Sequence, residues 1–406
     1  MAGKEIPPNN LKLKLFIVIY IVTIVALVAA TIYYLNSSQT LSKQVTSLSA
    51  QERGLKQKLD ETGKALQERQ RELTGLKNQD QYLINKNLEE EIKNIQSTYV
   101  GTATAYDELL SVQELTKKTE KLEKQFAQIL TLLSKRNYSS ASAQLASLKS
   151  EIAKTKEEVS STFKIPETVA AKNTAPGSGY SRQRVDADIG SYLVDIVAAD
   201  LGSTRVIVDT ASDGDCRDNC PVLPLGDYAA RSGAFAAING PYFCPASYGA
   251  CAGKTNSFDT LMMNKKKTYF NSDNNVYSNV PAVIFSGSSG RFVGASSEWG
   301  RDTGPDSVIA SQPMLLSGGS VVFGGDGEVK RAGKGSRSFI GTKGSTVYIG
   351  VVHNASVAEV ARVLKTLGLE YALNLDSGGS TALMSGGRYV VGPGRALPFG
   401  ILLMRK

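Results

Sequence analysis

The chain has 406 residues, 42% of them apolar and 21% charged, with a formal net charge of +8. That length holds about two to three domains, and the composition excludes a disordered chain. The basic excess is interspersed with Glu through the first part of the sequence, the pattern of a solvated helix surface; without an Arg-rich stripe or a nucleic-acid motif, nucleic acid is excluded as a partner.

Residues 15–35 (LFIVIYIVTIVALVAATIYYL) form an uncharged run of 21 residues, long enough to span a bilayer core as a helix. Lys4, Lys12 and Lys14 precede it, whereas Lys43 is the first cation after it. The positive-inside bias then predicts residues 1–14 as a cytoplasmic tail, with everything beyond residue 36 outside the cell membrane. A cleaved signal peptide is the alternative. Its apolar core is ordinarily shorter, so the run reads as a signal-anchor that stays in the mature chain, although the Ala26–Ala30 stretch keeps cleavage open.

From residue 36 to 162 the sequence is rich in Leu, Lys, Glu and Gln. Leu41, Val45, Leu48, Leu55, Leu59, Leu66, Leu73 and Leu76 recur at near-heptad spacing, interrupted at Glu52 and Thr62 and weakened by Gly54, Gly63 and Gly75. Leu115, Leu122, Phe126, Ile129 and Leu133 make a second run; Leu145, Leu148, Ile152 and Val159 follow the turn-like Asn137–Ser140. The pattern predicts a helical stalk, a coiled coil joining copies of the chain in its first part and a helical hairpin in its second, acting as a spacer. Residues 163–184, with Pro166, Pro176, Gly177 and Gly179, read as a linker.

Residues 185–406 are enough for one domain with a substantial core. Strands are predicted at 192–198, 204–209, 234–238, 280–285 and 347–352 from alternation and β-branched content. A helix is predicted over 356–367, opened by the Ser356…Glu359 capping box and closed by Gly368. This order implies a mixed α/β or α+β domain, a sheet covered by helices. Cys216, Cys220, Cys244 and Cys251 all fall here; in an oxidising compartment they read as two disulfides, the local pairs being the simplest of three connectivities. Zinc is the competing reading, but the spacings match no common zinc pattern.

Polar clusters stand beside glycines at strand ends: Asn239-Gly-Pro-Tyr-Phe243, Pro313-Met-Leu-Leu316 with Gly318, Arg337-Ser-Phe-Ile-Gly341 and Asn374-Leu-Asp-Ser-Gly-Gly-Ser-Thr381. Glycines let backbone N–H groups approach an anion, and a planar guanidinium can grip a phosphate with two donors. Each cluster alone also reads as a plain turn. Together, in this order, they resemble the phosphodiester glycosidases over roughly residues 185–406. Pro241, Phe339 and Ser377 depart from the family's usual Gly, Ala and Gly.

The resemblance implies a hydrolase that releases a sugar from a sugar-1-phosphodiester or a related cell-surface glycoconjugate. Asp376, Arg337 and Asn239 in its motifs are the catalytic candidates; the chemistry of the bond, rather than the resemblance, assigns Asp376 as nucleophile or base, Arg337 to the phosphate and Asn239 to orienting substrate. Ser380, Ser377, Gly378, Gly379, Tyr242 and Asn374 are expected on the substrate. Glu298 and Asp302, beside Trp299, are candidates for a second carboxylate, and His353, the only histidine, for a further substrate contact. A divalent cation beside Asp376 is open, with no complete ligand set readable. Two other classes remain: a glycoside hydrolase acting on unphosphorylated cell-wall or exported polysaccharide, and a non-catalytic glycan-binding module.

Overall fold

The computed structural model describes residues 11–113, 115–271, 279–300 and 302–406. Lys4, part of the basic flank, lies outside them. The chain divides into two compact units, Met1–Lys93 and Asn94–Lys406.

The first unit is built on helix α1, Leu11–Lys77, and the opening turns of α2, Asp80–Gln113. Its best 18-residue window has a mean hydropathy of 2.9, so α1 is long and apolar enough to cross a membrane. The large apolar side chains of residues 15–35 are all exposed on it, and the heptad positions from Leu41 to Leu76 are 52–74% exposed. Two apolar surfaces of this kind want covering, the first over bilayer length and the second at the spacing of a helix seam.

In the second unit the end of α2 packs with α3, Glu120–Ser134, and α4, Tyr138–Thr162. Ala105, Leu109, Val112, Ile129, Leu145, Leu148 and Ile152 are buried between them. Asn137 caps α4 by accepting from the Ser140 N–H at 3.2 Å. Gly101 lets α2 approach α4: a Cβ there would stand 2.8 Å from Leu145.

The outer domain is an antiparallel sandwich. Its seven-stranded sheet runs, edge to edge, Gly179–Ala187, Gly190–Asp200, Thr346–Ala355, Gly335–Lys343, Tyr371–Asn374, Met314–Ser317 and Ser320–Val321. The first of these begins inside the stretch that composition reads as linker. A five-stranded sheet, Arg388–Val391, Leu383–Ser385, Ala236–Asn239, Phe399–Arg405 and Thr204–Thr210, faces it. Strand Gly190–Asp200 shows why the layers form. Val197 and Ala199 enter the core shared with Val208, Ile238 and Ile401, whereas Val194, Ile196 and Ala198 enter the core on the other face. Two short helices, α5 (Leu225–Ser232) and α6 (Val329–Ala332), interrupt the strands. The far face is covered by α7, Val357–Thr366, through Val357, Val360, Ala361 and Leu364. Its capping box is present: Ser356 Oγ accepts from the Glu359 N–H at 3.2 Å, and Glu359 accepts from the Ser356 N–H at 2.7 Å.

A third sheet, Tyr269–Phe270, Met262–Met263, Ser307–Ala310, Ala282–Ser286 and Ser289–Val293, closes one side of the sandwich and buries Trp299. The disulfides are local, Cys216–Cys220 and Cys244–Cys251. Phe339 has a partner in this packing. It pairs in register with Gly350, where a Cβ would stand 2.7 Å from the Phe339 ring, so the bulky side chain fills space that glycine leaves.

Candidate active site

At one end of the sandwich the strands deliver their polar ends into a cavity of about 500 Å³, within the range of ordinary small-ligand sites. Asp376, Ser377, Gly378 and Ser380 line it from the turn after strand Tyr371–Asn374. Arg337 and Ser336 line it from strand Gly335–Lys343, and Tyr242 from the turn after strand Ala236–Asn239.

The Asp376 turn is held from both sides. Its N–H donates to Gly240 O at 3.1 Å, and Asn239 Nδ2 donates to its carbonyl at 2.7 Å. Gly240 permits this approach because any Cβ there would stand 2.4 Å from the Phe399 ring. Gly378 takes a φ of 64°, the left-handed region open to glycine. The Asp376 carboxyl accepts from the Ser377 N–H at 2.8 Å and from the Ser380 hydroxyl. Burial outweighs these bonds, and with the nearby Asp259 charge adding to it the Asp376 pKa is pushed up to about 7.

Arg337 sits across the same cavity, half-buried. Nε donates to Ala355 O at 3.1 Å and Nη2 to Lys330 O at 2.7 Å and to Gly333 O. Nη1 has no hydrogen-bond partner among the described residues. The expected two-pronged grip is therefore reduced to one free nitrogen, because the guanidinium ties the basic loop to the sheet. Strand Gly335–Lys343 bulges here, with a register shift between Gly335 and Arg337 that turns Ser336 toward the cavity.

Several expected substrate contacts stand elsewhere. Asn239 is wholly buried, and its Oδ1 accepts from Ser338 Oγ at 2.8 Å and from the Ala382 N–H at 3.1 Å. Asn239 is thus a strut beneath Asp376, since no polar atom is left for substrate. Asn374 is also wholly buried and donates to the Tyr242 hydroxyl at 2.7 Å. That bond uses Tyr242 as acceptor and leaves its proton free to point into the cavity. Burial and the Asp376 charge raise the Tyr242 pKa to about 12, so it stays a donor. Gly379 is absent from the cavity wall and instead borders a shallower groove with Arg395.

Glu298 and Asp302 are corrections. Neither lines the cavity: Glu298 accepts from the Ala295 N–H at 3.0 Å and Asp302 from the Gly304 N–H at 2.8 Å, both in loops of the third sheet. Trp299 beside them is core, its Nε1 donating to the Tyr269 hydroxyl. His353 also stands behind the wall. Its Nδ1 is 3.2 Å from Ser336 Oγ and its Nε2 2.7 Å from the buried Asp195 carboxylate, which accepts from the Tyr180 hydroxyl at 2.5 Å. The histidine meets the cavity only through Ser336.

Other lining residues carry no motif. Asp259 is a further carboxylate of the cavity; it stands at the open rim, yet the enclosing walls still raise its pKa, with Lys254 opposing. Tyr248 presents its ring to Lys330 at 4.9 Å and to Arg395 at 5.6 Å. Asp107 and Glu108 of α2 and Lys156 of α4 complete the wall from the helical segment. Among the described residues no group of three or more His, Cys, Asp or Glu converges as a metal site.

Residues 232–404 match the model of the phosphodiester glycosidase family. Among solved structures, the fold is similar to a hypothetical protein from Synechocystis at 14% identity and TM-score 0.39, covering 56% of this chain and 62% of that one, which is less than two thirds of its length. It is also similar to the zebrafish N-acetylglucosamine-1-phosphodiester alpha-N-acetylglucosaminidase catalytic domain, auto-inhibited by pro-peptide, at 16% identity and TM-score 0.45, covering 59% of this chain and 87% of that one. An exported protein of Burkholderia pseudomallei, described as putative, is similar at 12% identity and TM-score 0.34, over 53% and 74%. No curated protein matches the sequence.

Proposed function

We propose, from the match of residues 232–404 to the phosphodiester glycosidase family model, that this chain is a membrane-anchored hydrolase releasing a sugar from glycosyl phosphodiesters outside the cell. The domain is a glycosidase-type hydrolase; the anchor, its direction and the substrate are our reading. The observation that carries the reading is the convergence of the Asp376 carboxyl and the Arg337 guanidinium on one cavity.

Cleaving the bond between the anomeric carbon and the phosphate oxygen leaves a phosphate monoester, a good leaving group that requires no strong acid. The sugar side needs a carboxylate, as nucleophile or as base for water. Asp376 supplies it, held by Ser377 and Ser380. Arg337 Nη1 and the Tyr242 hydroxyl hold the phosphate and take up the charge that develops on it. Asp259, whose charge acts on Asp376, faces the same space as a candidate second carboxylate.

The anchor is α1 through residues 15–35, and the Lys bias puts the domain outside. Two disulfides support an oxidising compartment. The exposed heptad stripe from Leu41 to Leu76 supports pairing between copies of the chain as a coiled coil.

The full chain, purified in detergent, is expected to release sugar from α- or β-glycosyl phosphodiesters and to leave the matching alkyl glycosides intact. Running the panel with and without chelator tests a cation requirement at the same time. Turnover of plain glycosides at equal rates would favour an ordinary glycoside hydrolase; binding of the sugar without turnover of either would favour a glycan-binding module.

A further inference from the structure

The helical segment 94–162 reads from sequence as a spacer without chemistry. In the structure it closes the cavity. Asp107, Glu108, Ser111 and Leu115 from α2 and its following turn, with Lys156 from α4, share one wall with Lys330 and look across at Asp376 and Arg337. The segment is also tied down beside the site. Asn354 Nδ2 donates to Ser160 O at 3.0 Å at the end of α4, and Phe163 stacks on His353 at 6.4 Å with an interplanar angle of 15°. The closure thus rests on contacts at the strand that carries His353.

Two lysines on this wall make no ion pair within 4 Å among the described residues. Lys156 is half-buried and, among the described residues, has no carboxylate within 4 Å; Glu108 acts on it only at longer range. Lys330 likewise has no ion pair, and its ammonium is spent on the Tyr248 ring at 4.9 Å. Burial draws the Lys156 pKa below its usual value; the Glu108 charge opposes this and the Lys330 charge adds to it. Burial raises the Asp107 pKa and the Lys330 charge opposes that rise. The cavity as a whole carries seven basic side chains against five acidic ones. A lone phosphodiester has one charge, and Arg337 Nη1 already offers it a donor. A second anion reaching Lys156 and Lys330 would meet two cations that no carboxylate pairs within 4 Å among the described residues.

We infer that α2 and α4 are part of the substrate site, and that Lys156 with Lys330 forms a second anion subsite for a phosphate-bearing aglycone. The substrate class is then a polyanionic glycosyl phosphodiester, in which the group leaving the sugar carries a further phosphate. This rests on the reading of the site as a phosphodiester glycosidase, but its test needs no turnover.

Calorimetric titration of the full chain with inorganic phosphate and with tripolyphosphate separates the two. Tripolyphosphate is expected to bind at least about tenfold more tightly than phosphate, the margin of one added charge-assisted contact. Lys156→Met keeps the alkyl stem and should bring the two ligands within about twofold, whereas Lys156→Arg should retain the difference. Lys330→Met should give the same loss from the facing side, with circular dichroism and melting checking that each variant folds. Equal binding of both ligands by the wild type, or an undiminished preference in Lys156→Met and Lys330→Met, would overturn the subsite. If instead the subsite binds tripolyphosphate and no glycosyl phosphodiester is hydrolysed, the catalytic reading fails and the anion site stands.

Discussion

Asp376→Asn should keep the fold and lose at least about 10²-fold in turnover, on the order of 3 kcal/mol of transition-state stabilisation. The amide has the shape of the carboxyl, and its oxygen can still accept from the Ser377 N–H. What it lacks is the charge that attacks carbon or takes a proton from water. The raised pKa of about 7 adds a pH signature. The working form is the carboxylate, so kcat/KM should climb as pH rises toward 7 and level off above it. Stability should run the opposite way. The folded pKa lies above the unfolded 3.8, so the protonated carboxyl favours the fold; that contribution is complete below pH 3.8 and lost as pH rises through about 7. Asp376→Asn escapes the loss. Its melting temperature should exceed that of wild type at pH 8, by an amount that shrinks toward pH 5. Melting curves at the two pH values, beside steady-state rates, check both halves; a variant less stable than wild type at pH 8 would mean that the buried charge is compensated.

Arg337→Lys is expected to damage both the loop and the chemistry. The guanidinium satisfies the carbonyls of Ala355, Lys330 and Gly333 together, and a single ammonium reaches fewer of them. Losing charged hydrogen bonds of this kind costs about 3 kcal/mol. Activity should fall further on a phosphodiester than on an uncharged glycoside of the same sugar, because Nη1 is the nitrogen left for substrate. Parallel rates on the two substrates, with unfolding measured in urea, separate the contributions. Equal losses on both substrates would assign Arg337 to the loop alone.

Much of the domain was legible where one segment carries its own signal. The capping box at Ser356 and Glu359 and the apolar stripe behind it predict α7 to within a residue or two. Alternation predicts the strand found at Gly190–Asp200, since both of its faces are buried and one enters each core. The glycine-flanked motifs predict that Asp376 and Arg337 open into one space, because turns after apolar strands collect at one end of a sandwich.

What failed had its cause in distant partners. Asn239 and Asn374 look like substrate contacts in a motif, yet both are buried and held by groups about a hundred or more residues away: Ser338 and Asp376 engage the Asn239 amide, and Tyr242 takes the Asn374 NH2. Glu298 and Asp302, beside Trp299, read as candidates for a second carboxylate; the indole is core to the third sheet and neither acid lines the cavity. Asp259 and Lys156 lie in no motif, and no local pattern tells that a stalk helix will close a cavity in the following domain. Strand Gly179–Ala187 was hidden by glycine and polar content, because its covered face carries Gln183 beside Val185 and so shows no apolar alternation.

Hydrolysis in water enriched in oxygen-18 tests the central claim most directly. If Asp376 acts at the anomeric carbon, the bond between that carbon and oxygen breaks, and the released phosphate monoester keeps only its original oxygens. Mass spectrometry of that product should find no heavy oxygen. Incorporation of one heavy oxygen into the phosphate would show cleavage of the phosphorus–oxygen bond, making the enzyme a phosphodiesterase and contradicting the account.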